Sequence, residues 1–140
     1  MAVGLPKVAD MIEVLLVDDD ALVRGLLAEW LVGAGYRVHH ADNGSTALDM
    51  LLKRDFGLLI TDMDMPISGG LEIMKVARRM HPGLRVIAVS GGKRDGGQNW
   101  SVSALGHGAS KALAKPLERR DLLAAVEELA PLDQSRIKRA

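Results

Sequence analysis

The sequence has no cysteine and no net charge, its 18 basic residues being matched by 18 acidic ones. The first absence excludes a disulfide framework and a thiolate metal site, and is compatible with a reducing compartment. The second means that no global field draws the chain to nucleic acid or to an anionic membrane, so charge-based chemistry must be local. No apolar run reaches the roughly 18 residues of a membrane span. The opening "MAVGLPKVADMIE" also lacks the continuous apolar centre of a secretory signal. A histidine metal site is missing too: His39 and His40 are adjacent and point to opposite faces of a strand, and His81 and His107 stand elsewhere. At 140 residues and 48% hydrophobic, the chain reads as one soluble, cytoplasmic domain with an ordinary core.

What is present is a rhythm. Apolar runs that suit strands recur at 13–18 ("EVLLVD"), 36–41 ("YRVHHA"), 57–62 ("GLLITD"), 84–90 ("LRVIAVS") and, most weakly, 111–115 ("KALAK"). Helical patterns lie between them. Leu22, Val23, Leu26, Leu27, Trp30 and Leu31 recur at helical spacing, with Gly35 placed for a left-handed cap. Asn43 or Ser45 suits the start of a second helix, and "GLEIMKVARRMHP" stops at Pro82. Leu122, Leu123, Val126 and Leu129 share one face of a last helix. Five strands alternating with helices predict an α/β, doubly wound, five-stranded parallel sheet with helices on both faces. Burial on both sides explains why "VLLV" and "LLI" are continuous rather than alternating. The expected domain is 12–130, with 1–11 and 131–140 as flexible flanks.

In such sheets ligands bind outside the carboxyl ends of the strands. There the sequence places Asp18, Asp19 and Asp20 after the first strand, Asp62 at the third, Ser90 at the fourth and Lys115 at the fifth. Two unit charges about 4 Å apart repel by roughly 4 kcal/mol at an effective dielectric near 20. A domain stable by only roughly 5 to 15 kcal/mol would not carry that idly. A hard, all-oxygen cluster suits Mg²⁺, or Mn²⁺, completed by waters and phosphate oxygens. Lys115 is then free to neutralise a phosphoryl oxygen. Read alone, "DDD" also suits a helix cap, because carboxylates favour the positive end of a helix. Met63 and Met65 read as packing around the site.

These pieces resemble a known family. "VLLVDDD", "LLITDMDMPISGG", "VIAVSG" and "ALAKPL", in that order over about residues 12 to 130, are similar to the receiver domains of two-component response regulators. The resemblance implies a flavodoxin-like sheet of strand order 2-1-3-4-5. It implies that Asp62 accepts a phosphoryl group from a sensor histidine kinase or histidine phosphotransfer protein. Asp18 and Asp19 match the acidic pair that holds Mg²⁺ together with Asp62, and Asp64 falls where a backbone carbonyl ligates the metal. Ser90 matches the hydroxyl, and Lys115 the lysine, that meet the phosphoryl group, and the Lys115–Pro116 peptide is often cis. Asp64 and Gly92 stand at positions that tune dephosphorylation in the family.

A departure is Ala112, where the family commonly has an aromatic residue coupled to movement of the Ser90 hydroxyl. Another is the glycine-rich "GGKRDGGQNW" that follows Ser90, read as a mobile entry to a fourth helix. The chain ends about ten residues after its last helix, which leads us to expect a stand-alone receiver acting through a downstream protein target rather than DNA. Two alternatives stay open. "DMDM" also resembles the D-x-D of haloacid-dehalogenase-like phosphatases, and a receiver-like binding module that takes no phosphate would share the same fold.

Overall fold

The computed structural model describes residues 11–65, 69–91 and 105–132. The five apolar runs form strands β1 (Glu13–Val17), β2 (Arg37–Ala41), β3 (Leu58–Asp62), β4 (Arg85–Ser90) and β5 (Lys111–Ala114). Every neighbouring pair is parallel, and the order is β2-β1-β3-β4-β5. Four helices lie among the described residues: α1 (Ala21–Gly33), α2 (Gly44–Lys53), α3 (Gly70–Met80) and α4 (Arg119–Leu129). The glycine-rich stretch from Gly92 through Trp100 and most of the helix expected before β5 lie outside the described residues. So do Pro66 and most of the two expected flanks.

Successive strand residues feed opposite layers, as the pleat requires. Leu15, Val17, Leu59, Val86 and Ala88 pack with Ala47 and Leu51 of α2 and Ile73, Met74 and Ala77 of α3. Val14, Leu16, Leu58, Ile60, Ile87 and Val89 pack with Leu27, Ala28 and Leu31 of α1 and Leu122, Ala125 and Val126 of α4. The central strand β3 is buried along its whole length, which is why its sequence does not alternate. His39 pairs with Leu15 and His40 with Leu16, one on each face, and the histidines form no chelating pair.

The helix ends follow from local chemistry. Asp20 caps α1 by accepting from the N–H groups of Leu22 and Val23, and Asn43 caps α2 by accepting from Thr46. Gly35, at φ 104°, takes the left-handed conformation just beyond α1. The apolar stripe of α1 is wider than its buried face: Leu22 is 87% exposed and Leu26 46%. Helical spacing marked both as apolar, but the sheet reaches only the side of α1 that carries Leu27 and Leu31. Leu132 packs against the α1/α4 layer, so chain within the expected C-terminal flank contributes to the core.

Candidate functional site

The carboxyl ends of β1, β3, β4 and β5 meet at one rim, and register decides what they bring. Val17 pairs with Thr61, Asp62 with Val89, and Ser90 with Ala114. The residues immediately beyond therefore face one another. Asp18 (2% exposed), Asp62 (3%) and Ser90 (2%) are buried polar groups. Carboxylate oxygens of Asp18, Asp19 and Asp62 lie within 4.8 Å of one another. Lys115 Nζ stands 3.2 Å from Asp62 Oδ1 and 3.7 Å from Asp18 Oδ2. The backbone fastens these ends together: the Lys115 N–H donates to the Ser90 carbonyl at 2.7 Å, and the Asp18 N–H to the Ala41 carbonyl at 3.1 Å. The Lys115–Pro116 peptide is cis, as the family resemblance implied.

The run of three aspartates divides its labour. Asp18 and Asp19 join Asp62, while Asp20 turns to the end of α1. The capping reading is thus right for the third aspartate and not for the first two.

Burial is the chief cause of a raised pKa at Asp62. The Asp64 N–H, donated to its Oδ1 at 2.9 Å, and Lys115 oppose the rise, whereas Asp18 adds to it. Burial works against the charge on Lys115, yet Asp62 and Asp18 overcome it and hold the ammonium above its ordinary value. The two partners of this ion pair shift in the same direction for different reasons. One ammonium satisfies itself among the carboxylates but does not neutralise them. An all-oxygen donor set with excess negative charge and two of its three carboxylates buried fits a hard divalent cation.

Two contributors, Arg24 and Gly70, were not singled out in the sequence, and neither was the bond made by the Asp64 side chain. Arg24, on α1, donates from Nη1 to the Asp18 carbonyl at 2.7 Å and so ties the helix to the acidic turn. Gly70 opens α3 against β3: a Cβ there would lie 2.3 Å from the Asp62 carbonyl oxygen. The Asp64 carboxylate accepts the Gly91 N–H at 2.6 Å, bridging the ends of β3 and β4. The paired glycines at a helix start, where a capping side chain is usual, were the one available signal. Met63 and Met65 are buried beside the site, as their reading as packing residues required.

A parallel sheet of this order, with carboxylates and a lysine converging on its carboxyl rim, defines a receiver-type signalling domain. The family model for the response regulator receiver domain matches residues 14–127. The chain is 33% identical over 124 residues to the response regulator receiver protein CpdR of Brucella abortus, covering 85% of this chain and 97% of that protein. It is 38% identical over 130 residues to protein-glutamate methylesterase/protein-glutamine glutaminase 1 of Paramagnetospirillum magneticum, covering 91% of this chain but 34% of that protein. Among solved structures, the CheY-like receiver domain protein from Methanospirillum hungatei superposes with a TM-score of 0.78 at 28% identity, over 89% of this chain and 98% of that one. The chain belongs to the response regulator receiver family of two-component systems. Among the described residues, no helix is long and apolar enough to cross a membrane.

Proposed function

We propose that this chain is a phosphoryl-accepting switch whose acceptor is Asp62. The observation that carries this reading is the meeting of buried Asp62 with Asp18, Asp19 and Lys115 at one rim. An Asp62 carboxylate oxygen attacks the phosphorus of a phosphohistidine on a sensor histidine kinase or histidine phosphotransfer protein. An O–P bond forms as the N–P bond breaks, and the electron pair leaves on the imidazole nitrogen. Attack on a charged phosphoryl group depends on positioning and on positive charge near its oxygens. Lys115 Nζ is already beside Asp62 and supplies one such charge. Asp18, Asp19, Asp62 and the Asp64 backbone carbonyl would hold Mg²⁺ (or Mn²⁺), which supplies charge neutralisation when bound. The Ser90 hydroxyl, at the buried end of β4, is the remaining donor. Water attack on phosphorus later returns the carboxylate and inorganic phosphate, so the domain acts on itself rather than as an enzyme on a substrate.

The docking face for the phosphodonor is α1. Val23, Leu26, Leu27 and Trp30 line an apolar groove of about 360 Å³ with Pro116 and Leu117, and Lys115 closes its active-rim end. Converting the Asp62 carboxylate to an acyl phosphate replaces one negative charge by about two and adds phosphoryl acceptor oxygens, which changes contacts with a downstream protein target. Family membership leaves the haloacid-dehalogenase-like reading without support. The unphosphorylated binding module is separated by experiment. With acetyl phosphate and Mg²⁺, intact mass of the wild type should rise by one phosphoryl group, and Asp62→Asn should stay unmodified. An unmodified wild type would overturn the proposal.

A further inference from the structure

Asp64 touches both sides of the site. Its N–H donates to Asp62 Oδ1 at 2.9 Å, and its Oδ2 accepts from the Gly91 N–H at 2.6 Å. The second bond spans 27 residues of sequence and is charge-assisted, a stronger class than a neutral amide–carbonyl bond. It also sets a carboxylate on a backbone donor one peptide beyond Ser90, where the oxygens of a phosphorylated Asp62 would seek donors. We propose that the Asp64 side chain is an internal anionic latch, which holds the Gly91 amide while Asp62 is free and must surrender it when Asp62 carries a phosphoryl group.

The inference rests on the phosphoryl-acceptor reading and goes beyond it in naming the Gly91 amide as the group that the Asp64 side chain holds. The carboxylate and a phosphoryl oxygen compete for one N–H, and bringing a dianionic group towards a fixed carboxylate costs repulsion as well. The latch therefore opposes phosphorylation and transmits it: the state of Asp62 is read out at the backbone of Gly91. A hydrogen bond to a charged group is worth roughly ten- to a hundredfold in an equilibrium, which sets the scale of the effect.

The test uses the whole chain, Asp64→Asn and Asp64→Ala, all of which retain the carbonyl of residue 64. Beryllofluoride with saturating Mg²⁺ serves as the phosphoryl mimic, and the Gly91 amide proton is followed by NMR. In the free wild type that proton should lie far downfield, and it should move upfield in Asp64→Ala. Affinity for beryllofluoride should rise in the order wild type, Asn, Ala, by about tenfold or more from end to end. Asn ranks between because it still accepts the amide without the charge. An unshifted Gly91 proton in Asp64→Ala, equal gains in both variants, or no gain in either would overturn the latch. Absence of beryllofluoride binding by the wild type would instead overturn the acceptor reading, and the latch with it, even with Gly91 still downfield.

Discussion

Asp18 and Asp20 are the same residue two positions apart, and their surroundings give them opposite tasks. Asp18 is 2% exposed and shares its charge problem with Asp62, whereas Asp20 is exposed and spends its oxygen on the end of α1. Tyr36 shows the same dependence on surroundings away from the site. Its hydroxyl donates to the Ala130 carbonyl at 2.8 Å, pinning the start of β2 to the end of α4. Burial, reinforced by Glu127, raises its pKa from 10.0 to about 12. The fold thus favours the neutral phenol. That contribution to stability is complete below pH 10 and is lost as the pH rises through about 12. Tyr36→Phe should cost about 1 kcal/mol in urea denaturation at pH 8. Between pH 10 and 12 the wild type should lose stability relative to the variant, because Phe has no proton to lose. Parallel curves across that window would contradict the assignment.

At the scale of elements, the approach of α3 to β3 constrains the backbone of Asp62 tightly. Because a Cβ at residue 70 would sit 2.3 Å from the Asp62 carbonyl oxygen, Gly70→Ala must push α3 or β3 aside. The expected cost is roughly 1 to 3 kcal/mol by chemical denaturation. Gly83→Ala, where an added Cβ meets nothing within 4 Å, should stay within about 0.5 kcal/mol of wild type. Equal effects at the two positions would show that the close approach is unimportant. The elements themselves were legible because each carries its own local signal. β3 is an unbroken apolar run, Asn43 and Asp20 sit at helix starts, and Gly35 sits at a helix end. Asp18, Asp19, Asp62 and Lys115 were legible because strand ends are where a parallel sheet gathers polar groups. The Asp64 bond to Gly91, the reach of Arg24 to the Asp18 carbonyl and the exposure of Leu22 were not. Each depends on which neighbour stands opposite once the sheet is assembled, and no local pattern encodes that.

The molecule as a whole is a neutral chain that concentrates unbalanced charge at one rim. Two apolar layers hold the strands in register, and that register forces Asp18, Asp19 and Asp62 together with one ammonium among them. A raised pKa means that ionised Asp62 weakens the fold. The contribution of this group is favourable below its ordinary carboxylate pKa and is lost as pH rises through the elevated one, so near neutral pH the group is a liability. A divalent cation that bound only the folded site would remove the liability by mass action. The direct test is thermal unfolding at neutral pH of the wild type and Asp62→Asn, each with chelator and with increasing Mg²⁺. Asp62→Asn should melt above the wild type in chelator, and Mg²⁺ should raise the wild type much more than the variant. A wild type that does not respond to Mg²⁺, or a variant that responds equally, would contradict a cation site at Asp62.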